Sequence, residues 1–256
     1  FDLTVQAGET VACCLFSRRP DSLASWPVFS DTVAALRKLK RMVRVGVLSN
    51  IDDDLFAATR GRNVIISTEV GQHQMWAAQH FHFDDPNKWL TSGGLGTMGY
   101  GLPAAIGAQV GSPDALVIDI AGDASIQMNI QELGTATQYR LPVKIFILNN
   151  EYMGMVRQWQ ELTYESRYSE SYSDSLPDFV KLAEAYGCHG IRCDDPANLD
   201  AAIMEMIDTP KPVLFDCRVE KAENCFPMIP SGAAHNEMIL GKITGEEIGE
   251  AGKMLV

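Results

Sequence analysis

Two oxygen-bearing side chains close two apolar runs of this chain. Asp123 follows the run Ala115-Leu-Val-Ile-Asp-Ile-Ala121 and lies in Gly122-Asp123-Ala124-Ser125. Asn150 ends the run Val143-Lys-Ile-Phe-Ile-Leu-Asn149-Asn150. The two are 27 residues apart, the length of one strand–helix–strand unit. Strands joined in that way run parallel, so both side chains emerge at the carboxyl edge of one sheet. An acid and an amide are hard oxygen donors, and beside a helix N-terminus they suit Mg²⁺ and a diphosphate. Ala124 and Ser125 open the helix expected after Asp123. Their backbone N–H groups and the Ser125 hydroxyl are therefore candidates for phosphate oxygens.

The elements that must position these groups are legible from Asn63 onward. Strands are expected at Val64–Ser67, Ala115–Ile120, Val143–Leu148, His189–Cys193 and Val213–Cys217. Helices are expected at Gln74–Gln79, Gly101–Val110, Ser125–Tyr139, from Gly154 to Glu161, at Pro177–Tyr186 and at Leu199–Ile207. Gly187 stops the amphipathic Pro177–Tyr186 helix. The run Ala115–Ile120 is apolar on both faces apart from Asp119, as a central parallel strand requires. Alternating strands and helices imply a three-layer α/β/α, doubly wound parallel sheet. Gly94-Leu-Gly96-Thr-Met-Gly99 spells G-x-G-x-x-G. A nicotinamide site needs a clear hydrophobic strand directly before that motif, and Pro86-Asn-Lys-Trp-Leu-Thr-Ser92 holds too short an apolar run.

Composition narrows the classes of partner. The chain has 256 residues, 46% hydrophobic and 21% charged, ordinary for a globular protein with a full core. A net charge of −12 argues against a nucleic-acid surface, which needs a basic face. It does not exclude an anionic ligand, because a metal and a helix N-terminus act locally. The longest apolar runs are of strand length, short of a bilayer span, and Phe1-Asp-Leu-Thr-Val lacks the features of a signal peptide. The six cysteines, Cys13, Cys14, Cys188, Cys193, Cys217 and Cys225, form no C-x-x-C and read as reduced residues of a cytoplasmic protein.

Nucleotide and thiamine diphosphate binding both fit a metal–diphosphate edge of this kind, and the surrounding text decides between them. Gly-Asp-Ala-Ser followed by Asn-Asn at this spacing resembles the thiamine diphosphate fingerprint. Val70-Gly-Gln-His-Gln-Met-Trp76, Gly93-Gly-Leu-Gly-Thr-Met-Gly-Tyr-Gly-Leu-Pro103, Asn149-Asn-Glu-Tyr-Met-Gly-Met-Val-Arg-Gln-Trp159 and Phe226-Pro-Met-Ile-Pro-Ser-Gly232 resemble acetohydroxyacid synthase (acetolactate synthase). The likeness is to the C-terminal, diphosphate-binding domain of its catalytic subunit and runs from about Val64 to Val256. It implies Mg²⁺ on Asp123, Asn150 and the Tyr152 carbonyl. It implies diphosphate contacts from Gln72, His73, Gly122, Ala124 and Ser125. The Gly96 carbonyl would accept a hydrogen bond from the cofactor's aminopyrimidine, and Met98 would prop the bent cofactor. Gly154 and Met155 would complete the cofactor site. Met155, Trp159 and Ser231 would line the channel for the second 2-keto acid, and Met128 would pack nearby or in the core. The implied reaction joins decarboxylated pyruvate to pyruvate or 2-oxobutyrate, in branched-chain amino acid biosynthesis. The family's activating Glu has no counterpart in this chain. It is expected from the pyrimidine-binding domain of a second catalytic subunit, so the chain alone is expected to be inactive. An FAD region, present in the intact family enzyme, is also without a counterpart, and a regulatory small subunit is a possible partner by the same resemblance.

The first sixty residues read differently. Trp26 to Thr59 resembles a fragment of the haloacid dehalogenase superfamily, with strand Val43–Leu48 ending in Ser49-Asn50. Its nucleophilic Asp motif, Lys and paired acids have no match. The expected organisation is an appendage at 1–62 and a thiamine diphosphate-binding domain at 63–256. Two further readings stay open: a non-catalytic Mg–diphosphate module, and a dehalogenase-like hydrolase.

Overall fold

The computed structural model describes residues 55–241, apart from Asp84 and Ser231. The dehalogenase-like segment through residue 54, Cys13, Cys14 and Ser231 lie outside the described residues. Chain packing separates Leu48–Cys225, as one compact unit, from a second unit that holds the residues from Phe226 onward. In that second unit an isolated antiparallel bridge joins Met228 and Ile239.

Six parallel strands form one sheet. They are β1 (Val64–Thr68), β2 (Trp89–Thr91), β3 (Leu116–Gly122), β4 (Lys144–Asn149), β5 (His189–Cys193) and β6 (Val213–Arg218), in the order β2-β1-β3-β4-β6-β5. The helices are α1 (Gln72–His80), α2 (Gly101–Gly111), α3 (Glu132–Gln138), α4 (Gly154–Thr163), α5 (Phe179–Ala185) and α6 (Leu199–Asp208). After β1 the chain goes outward to β2, then returns past β1 to β3. The sheet therefore has its switch point at β1 and β3, where doubly wound sheets open a crevice at their carboxyl ends.

Side-chain alternation explains why β-branched runs became strands. Ile66, Ile118, Ile120, Phe146, Leu148 and Phe215 face one layer with Trp76 and Ala77 of α1 and Leu199, Ile203 and Met206 of α6. Ile65, Val117, Ala121, Ile145, Ile147 and Leu214 face the other, with Leu102, Ala105 and Ile106 of α2, Leu133 and Ala136 of α3, and Phe179 and Ala183 of α5. Helices thus cover both faces, and the expected three-layer α/β/α architecture is present. Each fully buried aliphatic side chain contributes about 1.5–3 kcal/mol of transfer free energy. The α5 helix starts at Asp178, whose side chain accepts the N–H groups of Val180 and Lys181, and ends before Gly187 at φ +79°.

Three expectations need correction. The segment after Asp123 is not one helix from Ser125 to Tyr139. A 3₁₀ turn at Ile126–Asn129 precedes α3, and the Asn129 side chain turns away to bond the Gly99 carbonyl. The α1 helix begins at Gln72, so Gln72 and His73 occupy its first turn. The text before the glycine-rich loop does contain a strand, β2, but it is three residues long and only half-buried. Among the described residues no helix is long and apolar enough to cross a membrane.

Candidate functional site

Asp123 and Asn150 come together as their spacing predicted. β3 and β4 are neighbours in parallel register, with Gly122 opposite Leu148, so each strand delivers its next residues to the same edge. Asp123 Oδ2 accepts the Glu151 N–H at 2.6 Å. Asn150 Oδ1 accepts the Tyr152 N–H at 3.1 Å, closing an Asx-type turn. Glu151 sits at φ +61°, in the left-handed region, where the chain turns after β4. The antiparallel bridge of Tyr152 with Tyr172 is flanked by bonds from the Met153 N–H and to the Glu151 carbonyl. Those bonds leave the Tyr152 carbonyl out of the ladder.

Asp123 is buried, yet its Oδ1 has no hydrogen-bond partner. Burial pushes its carboxyl up to about 6, against the pull of the backbone N–H groups of Glu151, Ala124 and Asn150. A desolvated carboxylate oxygen without a partner is costly, and a cation is the usual remedy. Asp123 and Asn150 bring a carboxylate and an amide oxygen with a lone pair to spare to neighbouring strand ends, and hard oxygen donors of this kind suit Mg²⁺. Among the described residues no group of three or more His, Cys, Asp or Glu is placed to hold a metal ion.

His73 lies directly beneath the Asp123 turn. A Cβ at Gly122 would fall 2.8 Å from its ring, and one at Gly71 2.6 Å. Its Nε2 is buried without a partner, and burial lowers its pKa to about 3, so the imidazole is neutral. Ser125 closes the same turn: its Oγ accepts the Gly122 N–H at 3.0 Å and donates to the Gly122 carbonyl at 3.2 Å. The Ser125 hydroxyl is thus already engaged, and Ala124 is half-buried at the turn's outer corner.

Gln72 has a different set of partners from the one its place in the sequence suggested. Its Nε2 donates to Gln158 Oε1 at 2.8 Å and to the Glu223 carbonyl at 3.0 Å, and its Oε1 accepts from Asn150 Nδ2 at 3.4 Å. Gln158 continues this amide chain to Cys225 through both its oxygen and its nitrogen. Gly154 permits the approach, because a Cβ there would collide with Gln72 Oε1 and stand 2.9 Å from Asn150 Nδ2. Gln158 was not legible as a site residue; its buried place one turn into α4 shows only in three dimensions.

Gly96, at φ +66°, and half-buried Met98 lie in the loop after β2, which the Ser92 carbonyl and hydroxyl hold through the Gly96 and Thr97 N–H groups at 3.1 and 3.0 Å. Met155 and Trp159 share one face of α4 and line an open cavity of about 580 Å³ with Val156, Gln160, Tyr164 and Arg167. Trp159 is 39% exposed, so it is not a core residue; Met128 is also exposed.

The arrangement defines a doubly wound α/β protein in which two buried polar atoms without a partner, Asp123 Oδ1 and His73 Nε2, lie at the carboxyl edge of the sheet. Residues 69–217 match the family described as "Thiamine pyrophosphate enzyme, C-terminal TPP binding domain". The chain belongs to this family of thiamine pyrophosphate enzymes. It is similar to the acetolactate synthase large subunit of Cyanidium caldarium, at 53% identity over 70% of this chain and 30% of the relative. The acetolactate synthase catalytic subunit, mitochondrial, of Saccharomyces cerevisiae is 52% identical over 79% of this chain and 28% of its own length. That of Aspergillus candidus is 48% identical over 84% and 30%. The chain therefore spans under a third of the length of the curated relatives it matches.

Proposed function

We propose that this chain is the diphosphate-holding part of an acetolactate synthase catalytic subunit. The observation that carries the reading is the buried, unpartnered Asp123 Oδ1 at the β3–β4 edge, beside Asn150 and above neutral His73. In this reading Asp123, the Asn150 amide oxygen and the Tyr152 carbonyl hold Mg²⁺. His73 Nε2 and the turn Gly122-Asp123-Ala124-Ser125 border the diphosphate, and Gln72 orients Asn150 while bordering the same space. Gly96, Met98, Gly154 and Met155 receive the rings. Trp159, with Met155, borders the path of the second 2-keto acid.

Thiamine diphosphate supplies the carbon nucleophile needed to decarboxylate one 2-keto acid and join the remainder to another. The protein's own part is to bind, orient and exclude water. The 2-keto acids are pyruvate and, as acceptor, pyruvate or 2-oxobutyrate. By resemblance the acid that activates the pyrimidine comes from a pyrimidine-binding domain of a partner catalytic subunit, and FAD and a regulatory small subunit belong to that larger assembly.

Titration calorimetry tests the reading. The expected result is thiamine diphosphate binding that requires Mg²⁺, with acetolactate formed only after a chain bearing the pyrimidine-binding domain is added. Binding indifferent to Mg²⁺, or acetolactate from this chain alone, would count against it.

A further inference from the structure

We propose that Glu69 is a positioning residue that sets the shape of the Gly96–Gly99 loop from beneath, by holding the peptide N–H of Gly99. Glu69 follows β1 and is fully buried. Its Oε2 accepts the Gly99 N–H at 2.6 Å and its Oε1 the Leu102 N–H at 3.1 Å. Tyr100, at the N-cap of α2, makes no side-chain cap bond. A carboxylate from another strand thus satisfies N–H groups that the helix's own sequence leaves free, and its charge suits the positive end of the helix dipole.

Gly99 is held through its carbonyl as well. The Asn129 side chain donates to the Gly99 carbonyl at 2.5 Å. Gly99 lies at φ +86°, and a Cβ there would stand 2.8 Å from Asn129 Nδ2 and 2.9 Å from Met128 Cβ. With Ser92 fixing the loop's start, Met98 is suspended between two anchored ends.

Asp119 is a second acid near Glu69. It is fully buried one strand away, its Oδ1 accepts the Ser67 hydroxyl at 3.0 Å, and its Oδ2 has no partner. Gly101 allows the crowding, since a Cβ there would meet Asp119 Oδ1 and come within 2.7 Å of the Glu69 nitrogen. Burial first, and then the nearby Glu69, hold Asp119 well above the usual carboxylate range. Burial raises the Glu69 carboxyl too, but backbone N–H donors oppose that rise, so of the two acids Asp119 is held further toward its neutral form.

The structural claim stands by itself; its consequence rests on the proposed cofactor reading, in which this loop receives the pyrimidine ring. Amide hydrogen exchange of the full chain is compared for wild type, Glu69→Gln and Asp119→Asn. Glu69→Gln is expected to speed exchange at Gly99 and Leu102 about 10-fold, with β4 and β6 amides unchanged. Asp119→Asn, which mimics a neutral acid, is expected to leave Gly99 and Leu102 protected. No change at Gly99 and Leu102 in Glu69→Gln, or a change spread equally over β4 and β6, would overturn the proposal. So would Asp119→Asn behaving like Glu69→Gln.

Calorimetry then separates the two levels. With Mg²⁺ present, Glu69→Gln should bind thiamine diphosphate about 10-fold more weakly yet bind inorganic pyrophosphate as wild type does, because pyrophosphate never reaches the loop. Equal weakening of both ligands marks a general structural role and sinks the positioning claim. Wild type that binds neither ligand sinks the cofactor reading, while the exchange result still decides the role of Glu69.

Discussion

Asp123, after β3, and Asp216, in β6, stand on either side of β4 and are equally hidden, at 1% and 0% exposure. Their surroundings are opposite. Asp216 Oδ1 accepts from Asn149 Nδ2 at 2.7 Å, and its Oδ2 faces Arg192 Nε at 3.0 Å and Arg218 Nε at 3.3 Å. Asp123 meets only backbone N–H groups, Glu151 on Oδ2 at 2.6 Å, and its Oδ1 has no partner. Burial therefore does not distinguish a structural carboxylate from one built for a ligand; leftover coordination does. Asp216 ties β4, β5 and β6 together, whereas Asp123 is left incomplete at the carboxyl edge of β3.

The widest separation between the two should come from Asp123→Ala. Mg²⁺-dependent thiamine diphosphate binding is expected to weaken at least about 100-fold by calorimetry, as for loss of a direct ligand. Stability in urea should hold or rise, because an uncompensated buried carboxylate is removed. Asp216→Ala should do the reverse. Two arginines and Asn149 lose their acceptor, so stability falls by about 2–3 kcal/mol, read from the urea midpoint, with cofactor affinity within about 3-fold. If Asp123→Ala destabilised the fold as much as Asp216→Ala, the contrast would be void.

A pH experiment sharpens the same edge. His73 is buried and neutral with a pKa of about 3, below its ordinary 6.5. The unfolded chain takes up a proton below 6.5 that the folded chain refuses until about 3. The stability tied to neutral His73 is therefore full above pH 6.5 and lost as pH falls toward 3, at no more than about 1.4 kcal/mol per unit. His73→Asn should flatten the wild-type decline between pH 6.5 and 4.5 in urea unfolding. Parallel declines in both proteins would mean that the imidazole is not held neutral.

What was legible in the sequence follows from what each residue answers to. Strands β3 and β4 are buried on both faces, so their apolar runs stood out, and the edge that joins Asp123 to Asn150 followed from spacing alone. Strand β2 is half-buried at the sheet's margin and left too weak a pattern. The segment after Asp123 looked helical, but the tertiary bond from Asn129 to Gly99 accompanies a 3₁₀ turn there. The amide partners of Gln72, which are Gln158, Glu223 and Asn150, lie at least 78 residues away and left no local signal. Asp119 showed as a lone acid in an apolar strand. Its neighbour Glu69 carried no local signal, because the N–H groups it caps lie 30 and 33 residues later.

The smallest effect is expected at Trp159, and it bears on a third kind of residue, neither satisfied nor starved of partners. At 39% exposure, with Met155, Val156 and Tyr164 beside it in an open cavity, Trp159 has already left much of its surface in water. Truncation to Ala removes little that folding had buried, so the loss of stability should stay below about 1 kcal/mol. A core tryptophan would cost about 3–5 kcal/mol. If the cavity admits the second 2-keto acid, the same variant, assembled with its partner subunit, should raise the KM for the acceptor and leave thiamine diphosphate affinity within about 2-fold. A large loss of stability in urea would place Trp159 with the structural residues, and an unchanged acceptor KM would remove it from the substrate path.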